Sequence, residues 1–113
     1  MSNNTFKRGK VYWTTLPDPR EGSHVQGGAR PCVIISNNTA IKHSEIIKVL
    51  PLSGAIDDFP SHVDVNLHRP GQVLCEQILT VDKSMLGTYV GTLSSESMAE
   101  ITKNLAWELG IML

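Results

Sequence analysis

Apolar positions in the first four fifths of the chain occur in short runs that are separated by turn-forming residues. The runs cover 10–16, 31–36, 45–53, 62–68, 73–81 and 87–93. They are rich in β-branched residues, which favour strands. The run at 31–36 is apolar at consecutive positions, which is typical of a strand covered on both faces. The run at 62–68 alternates, which predicts one buried face and one solvated face. We therefore expect five or six short strands.

The hydrophobic period changes near residue 94. Apolar side chains then recur at steps of three and four residues: Met98, Ile101, Leu105 and Leu109. Ser94 or Ser95 is a suitable N-cap and Gly110 a suitable C-cap, so the pattern predicts one amphipathic helix of about 15 residues. Short strands followed by one helix predict a mostly β fold with some α structure, built as a small curved sheet or barrel with a C-terminal helix.

Length and charge limit the possible functions. The 113 residues are expected to form a single domain, 1–113. A net charge of −1 excludes a broad basic surface for nucleic acid, so any polyanion must be bound locally. No apolar segment approaches the roughly 20 residues of a membrane span, and the start has no signal-peptide pattern, which indicates a cytoplasmic protein. Cys32 and Cys75 lie in apolar runs and are expected to be reduced.

Arg30 lies between a long polar loop and a predicted buried strand. The loop, 17–30, has about 14 residues, and loops of that length in compact domains are often functional. Pro31 disfavours helical geometry at Arg30, and the strand that follows would hold its backbone firmly. A planar guanidinium on a firm base suits bidentate recognition of phosphate. The alternative is a surface arginine that pairs with Asp18 or Glu21.

Other polar residues are weaker candidates when taken alone. His24 shares the loop with Arg30 and could act as an acid or a base near neutral pH. Glu76 and Gln77 interrupt an apolar run, so one of them is expected to point inward unless a bulge intervenes. Such a side chain would either tie down loop backbone or line a cleft, and the residues leave both alternatives open. Ser53, beside a glycine at a strand end, is by itself a turn residue.

Two histidines in the alternating run are not expected to form a site. His62 and His68 share a face but are six residues apart, roughly 20 Å along an extended strand, so they cannot bind one metal ion. We interpret that face as solvated. No phosphate-binding loop, nucleophile elbow or metal-ligand spacing is present in the sequence.

Five motifs together resemble the MazF/PemK-type toxins of bacterial toxin–antitoxin systems. They are RGKVYW at 8–13, GGARPCVIIS at 27–36, VLPLSG at 49–54, FPSHVDV at 59–65 and EQILTVDK at 76–83. The motifs occur in the family's order and cover nearly the whole chain. The resemblance implies an SH3-like barrel of the plasmid-maintenance-toxin type that forms a homodimer. It also implies a sequence-specific endoribonuclease that cleaves single-stranded RNA without a metal or other cofactor and is blocked by a cognate antitoxin.

The resemblance also assigns roles to residues. It implies that Arg30 and Ser53 form the catalytic core and that Glu76 and Gln77 lie in the same RNA-binding cleft. From the chemistry of metal-free cleavage we expect Glu76 or His24 to act as acid or base, and we expect Gly28 and Gln26 to bind substrate with Gln77. Relatives often have an acidic residue in the loop where this chain has His24 and Val25, and cations where it has Leu74 and Leu79. Two alternatives follow: a non-enzymatic, CcdB-like inhibitor of gyrase, and an inactive relative that binds RNA or antitoxin.

Overall fold

The computed structural model describes residues 5–17, 20–24 and 26–112. The strands in these residues are β1 (Lys10–Leu16), β2 (Gly28–Ile34), β3 (Ile46–Ser53), β4 (His62–Asn66), β5 (Pro70–Leu74), β6 (Leu79–Asp82) and β7 (Leu86–Thr92). The helices are α1 (Asn38–His43), a short 3-10 helix (Lys83–Met85) and α2 (Ser95–Leu109). None of these helices is long and apolar enough to cross a lipid bilayer. The mostly β fold with a C-terminal helix is confirmed.

The strands form one curved antiparallel sheet in the order β4-β5-β3-β2-β1-β7. Strand β3 is its centre: one edge pairs with β2, and the other edge is shared by β6 and β5. The sheet is not closed into a barrel by strand pairing. The connection after β4 instead lies against β7, where the His68 ring contacts the Val90 carbonyl (Nε2 to O, 2.9 Å) and Leu67 lies over Gly91.

The run at 73–81 is two strands, so the prediction of one strand there was wrong. Strands β5 and β6 both pair with β3 and are separated by the turn segment 75–78. Cys75 in this segment is fully buried, and Ile78 packs against the core. The apolar composition of 73–81 therefore reflects the burial of these residues and not their pairing as one continuous strand.

Helix α1 was not predicted from the sequence. It has six residues, and only Ile41 among them is buried, so it leaves no apolar period along the chain. Its N-terminus is capped by Asn37, whose side chain accepts a hydrogen bond from the Ala40 N–H.

The core lies on both faces of the sheet. One cluster contains Val11, Val33, Ile35, Leu50, Val63, Val65, Val73, Cys75, Leu93 and Ile101. The other contains Tyr12, Leu16, Cys32, Ile34, Ile41, Ile47, Val49 and Val81. Consecutive residues of β2 alternate between the two clusters, which confirms a strand covered on both faces.

Helix α2 agrees with the predicted bounds. Ser94 caps its start by accepting a hydrogen bond from the Ser97 N–H, and Gly110 ends it at a φ of 69°. Ile101 is fully buried in the cluster that also contains Val63 and Val65 of β4. The helix therefore covers the end of the sheet where β4 lies.

Gly71 permits β5 to approach β3 closely at Ser53. A Cβ at Gly71 would lie 2.9 Å from the Ser53 carbonyl oxygen, whereas a Cβ at Gly54 would have nothing within 4 Å. We expect Gly71→Ala to lower the free energy of unfolding by about 1–3 kcal/mol, since backbone must move. Gly54→Ala should change it by less than about 0.5 kcal/mol. Urea unfolding measures both, and equal effects would contradict the close approach.

Candidate functional site

A cleft of about 580 Å³ opens where the connection between β4 and β5 faces β1, β7 and the adjacent ends of β2 and β3. Its lining includes two arginines, Arg30 and Arg69, together with Ser53 and His68. Trp13, 43% exposed, contributes to an apolar wall. No carboxylate lines the cleft in the described part of the chain. The cleft is therefore locally positive although the chain has a net charge of −1.

Arg30 and Ser53 are brought together by the pairing of β2 with β3. Cys32 lies opposite Pro51, so two more residues in the same register place Arg30 opposite Ser53. Side chains of directly opposed residues in antiparallel strands point to the same face of the sheet. Both residues also line the cleft.

Arg30 is held by its own loop rather than by a carboxylate. Its Nε donates to the Gly27 carbonyl oxygen at 3.2 Å. Gly28, two residues before Arg30, has a φ of 72°, in the left-handed region that favours glycine. Arg30 forms no ion pair with Glu21 or any other described carboxylate. Asp18, the other expected partner, and Val25 lie outside the described residues.

Gln77 braces the long loop through two backbone contacts. Its side-chain Oε1 accepts from the Gln26 N–H at 2.7 Å, and its Nε2 donates to the His24 carbonyl oxygen at 3.0 Å. Of the two alternatives left open by the sequence, Gln77 ties down loop backbone. The Gln26 side-chain Oε1 is buried and has no hydrogen-bond partner among the described residues. His24 is exposed.

Glu76 contacts a different part of the molecule from Gln77. Its Oε1 accepts from the Ser61 hydroxyl at 3.2 Å, and its Oε2 lies 2.9 Å from Nε2 of His62. Because 75–78 is a turn segment rather than a strand, strand alternation does not decide where the two side chains point. The described lining of the cleft includes neither Glu76 nor Gln77.

His62 is buried, so the prediction of a solvated histidine was wrong at this position. Its side chain is 7% exposed, and its Nδ1 faces Asp57 Oδ1 at 2.9 Å and Gln72 Oε1 at 3.1 Å. Alternation assigned the face correctly, but the connection from β3 to β4 covers that face at His62. Its partner Gln72 is only 4% exposed, but Gln72 precedes the predicted apolar run at 73–81, so no local pattern indicated that it is buried.

The pKa of His62 is raised. Burial lowers the pKa, but the hydrogen bond and negative charge of Glu76, with help from Gln72 and Asp57, outweigh burial. The thiols behave differently: burial raises the pKa of Cys32 to about 11 and that of Cys75 to about 12. Neither cysteine is therefore a nucleophile at neutral pH.

Removal of the Gln77 side chain should release the loop. In Gln77→Ala the Gln26 N–H loses its acceptor, and we expect its hydrogen exchange to accelerate about five-fold or more, since one hydrogen bond contributes about 1 kcal/mol. Gln26→Ala is the matched control because it keeps the same backbone N–H and the same acceptor. Amide exchange followed by NMR measures both, and equal acceleration in the two variants would contradict the brace.

The raised pKa of His62 predicts a pH-dependent contribution to stability. A histidine whose pKa is higher in the folded state stabilises fully below its unfolded pKa of about 6.5, and this contribution is lost as the pH rises through the folded value. We expect the stability advantage of the wild type over His62→Gln to be greatest in acid and to shrink in that window. Urea unfolding across the pH range measures it. An advantage that is constant with pH would be inconsistent with this assignment.

The chain matches a family model described as PemK-like, MazF-like toxin of type II toxin–antitoxin system, over residues 7–109. A curated Endoribonuclease MazF of Staphylococcus saprophyticus is 37% identical over 113 aligned residues, which cover 94% of this chain and 92% of the relative.

Solved structures show the same fold. An endoribonuclease from a mycobacterial species superposes with a TM-score of 0.81 at 27% identity, covering 97% of this chain and 96% of that one. An endoribonuclease in complex with its cognate antitoxin, also mycobacterial, gives a TM-score of 0.76 at 28% identity, covering 97% and 98%. MazF of Deinococcus radiodurans, 21% identical, gives 0.81 and covers 93% and 96%.

Proposed function

The chain belongs to the PemK-like, MazF-like toxins of type II toxin–antitoxin systems, and we propose that its arginine-lined cleft and the adjoining loop bind single-stranded RNA for cleavage without a metal ion. Its activity is that of an endoribonuclease. The observation that carries the proposal is that Arg30 and Ser53, which the extended register of β2 and β3 places opposite each other, line one cleft that no described carboxylate lines. A chain of net charge −1 thus offers a phosphate a local site of opposite charge.

The reaction is transesterification within the RNA. The ribose 2′-OH loses its proton to a base and attacks the adjacent phosphorus, and the bond from phosphorus to the 5′-oxygen breaks as an acid protonates that oxygen. The products carry a 2′,3′-cyclic phosphate and a 5′-OH. Arg30 stabilises the charge that develops on the phosphate oxygens, and Ser53 donates a hydrogen bond to the same phosphate.

Glu76 and His24 supply the acid and base in this proposal. Glu76 keeps acceptor capacity on Oε1, since a carboxylate oxygen has two lone pairs and only the Ser61 hydroxyl uses one. His24 is exposed on the loop that Gln77 braces, so it can reach substrate. Gln26, half-buried in the same loop, and Gly28, which allows close backbone approach, contribute to substrate binding in this proposal. Gln77 supports binding by fixing that loop.

A cognate antitoxin is the protein partner of this toxin. An acidic segment complements a cleft that contains Arg30 and Arg69, and its binding there would exclude RNA. The toxin acts in the cytoplasm, where its RNA substrate occurs. It forms a homodimer of single-domain subunits, consistent with a family match that spans 7–109.

Arg30→Ala should abolish RNA cleavage while leaving the fold intact. We expect cleavage of a long single-stranded RNA in EDTA to fall about 100-fold or more, because a main stabiliser of the transition-state charge is lost. Lys103→Ala is the control, since Lys103 is an exposed cation of α2 outside the cleft and its adjoining loop, and it should retain activity within about three-fold. Cut sites and end groups are mapped on the RNA.

Three results would overturn this assignment. A fully active Arg30→Ala protein would exclude Arg30 from the reaction. Absence of discrete cuts by the wild type, with RNA still bound, would indicate an inactive RNA-binding relative, and trapping of gyrase without RNA cleavage would indicate the inhibitor class.

A further inference from the structure

His62 lies where three segments of the chain meet. The connection 54–61 contributes Asp57 and Ser61, β5 contributes Gln72, and the turn segment contributes Glu76. The chemistry proposed above gives His62 no role, yet both of its ring nitrogens are engaged. A buried polar ring with this number of partners requires an explanation.

Gln72 fixes the proton on one ring nitrogen of His62. Its amide Nε2 donates to the Asp57 carbonyl oxygen at 3.0 Å and to Asp64 Oδ1 at 2.8 Å. The amide orientation is therefore set, and the oxygen Oε1 is the atom that faces Nδ1 of His62. An amide oxygen only accepts, and so does the nearby Asp57 carboxylate, so Nδ1 must carry a hydrogen.

Glu76 requires a hydrogen on the other ring nitrogen of His62, Nε2. Nε2 lies 2.9 Å from Glu76 Oε2, and an ionised carboxylate has no hydrogen to give. A neutral ring with its proton on Nδ1 would direct the Nε2 lone pair at this oxygen, which is repulsive. The doubly protonated imidazolium instead donates from both nitrogens and satisfies every acceptor around it.

We propose that His62 is a positioning residue for RNA cleavage: its imidazolium ring fixes the Glu76 carboxylate against the 54–61 connection, and loss of a ring proton releases it. The proposal rests on the proposed function, in which Glu76 acts as acid or base. The charged groups around the ring are Asp57 from the connection, Glu76 from the turn, and Asp64 of β4 through Gln72. The Phe59 ring, with its centroid 5.0 Å away, packs beside the imidazole.

The contact between His62 and Glu76 is separate from the contacts that brace the loop. Gln77 is the next residue along the turn and holds the loop backbone at Gln26 and His24. His62 itself is only 7% exposed, so it does not touch the RNA. Deprotonation should therefore lower kcat with little change in KM.

The protonation state can be measured without any activity. With ¹⁵N-labelled histidine, NMR at about pH 6 should show hydrogens on both His62 ring nitrogens, since the ring is stabilised as the cation. Glu76→Gln removes the facing negative charge and should move the His62 titration to lower pH. A singly protonated His62 ring at about pH 6, or a titration unchanged in Glu76→Gln, overturns the contact.

The pH profile of cleavage tests the positioning role. We expect kcat of the wild type to decline at alkaline pH together with the NMR titration of His62. His62→Gln keeps an N–H donor toward Glu76 but cannot titrate, so it should stay within about three-fold of wild-type kcat at about pH 6 and lose the part of the alkaline decline that follows the NMR titration of His62. His62→Ala should lose about ten-fold or more in kcat, with KM within about two-fold. His43→Gln, an exposed histidine of α1, is the control and should behave like the wild type.

These outcomes separate the two proposals. If His62→Ala keeps the wild-type profile, or His62→Gln keeps the part of the decline that follows the NMR titration of His62 in the wild type, His62 does not position Glu76 for the reaction. If His62→Ala fails to fold, the pH profile of His62→Gln and the NMR titration of the wild type still test whether His62 positions Glu76. If the wild type cleaves no RNA, the proposed function and the catalytic part of this proposal both fail, whereas the ring nitrogens still confirm or overturn the contact between His62 and Glu76.

Discussion

The arrangement of the site depends on the way in which one edge of β3 is shared. Its first half pairs with β6 and its last residues pair with β5, so the chain between β5 and β6 leaves the ladder for a few residues. Two polar neighbours, Glu76 and Gln77, lie in that interruption. In a continuous strand they would point to opposite faces of the sheet. In the turn, each is free to contact a different loop.

The contacts of this turn form a circuit through the proposed active site. Gln77 holds the long loop, whose Gly27 carbonyl holds Arg30. Glu76 holds His62, which contacts Gln72, and Gln72 is paired across the sheet with Ser53. Ser53 lies opposite Arg30 in the extended register of β2 and β3. Such mutual support is a way in which a small sheet can orient catalytic groups that come from loops.

Periodicity along the chain predicted the elements that bury a regular face. It indicated α2 and its caps, the doubly covered β2 and the alternating β4, because each of these has a repeating pattern of burial. It could not predict α1, with a single buried residue, or the break between β5 and β6, where Cys75 stays buried inside a turn. Alternation predicts which face of the sheet a side chain lies on, but it does not predict which other segment of the chain covers that face.

Local sequence patterns were also insufficient to predict the candidate site. Ser53 and Arg30 are brought together by the register between β2 and β3. A local sequence pattern does not determine the register between two strands. The prediction that these two residues share a site therefore came from the family resemblance. Alternation assigned His62 to the correct face of the sheet, but the prediction that this face is solvated at His62 was wrong. The connection that covers His62 comes from outside its strand. Gln72, the buried partner of His62, precedes the predicted run at 73–81, so its burial could not be inferred from an apolar pattern around it.

Arg30 can serve a phosphate only if no nearby carboxylate neutralises it first. The acidic groups close to the turn are engaged elsewhere: Glu76 with Ser61 and His62, and Asp64 with Gln72. Asp57 accepts from the Phe59 N–H and faces the His62 ring. A nearly neutral chain can thus present a positive cleft without any excess of basic residues. The His62 network engages three of these carboxylates, and none of them lines the cleft among the described residues.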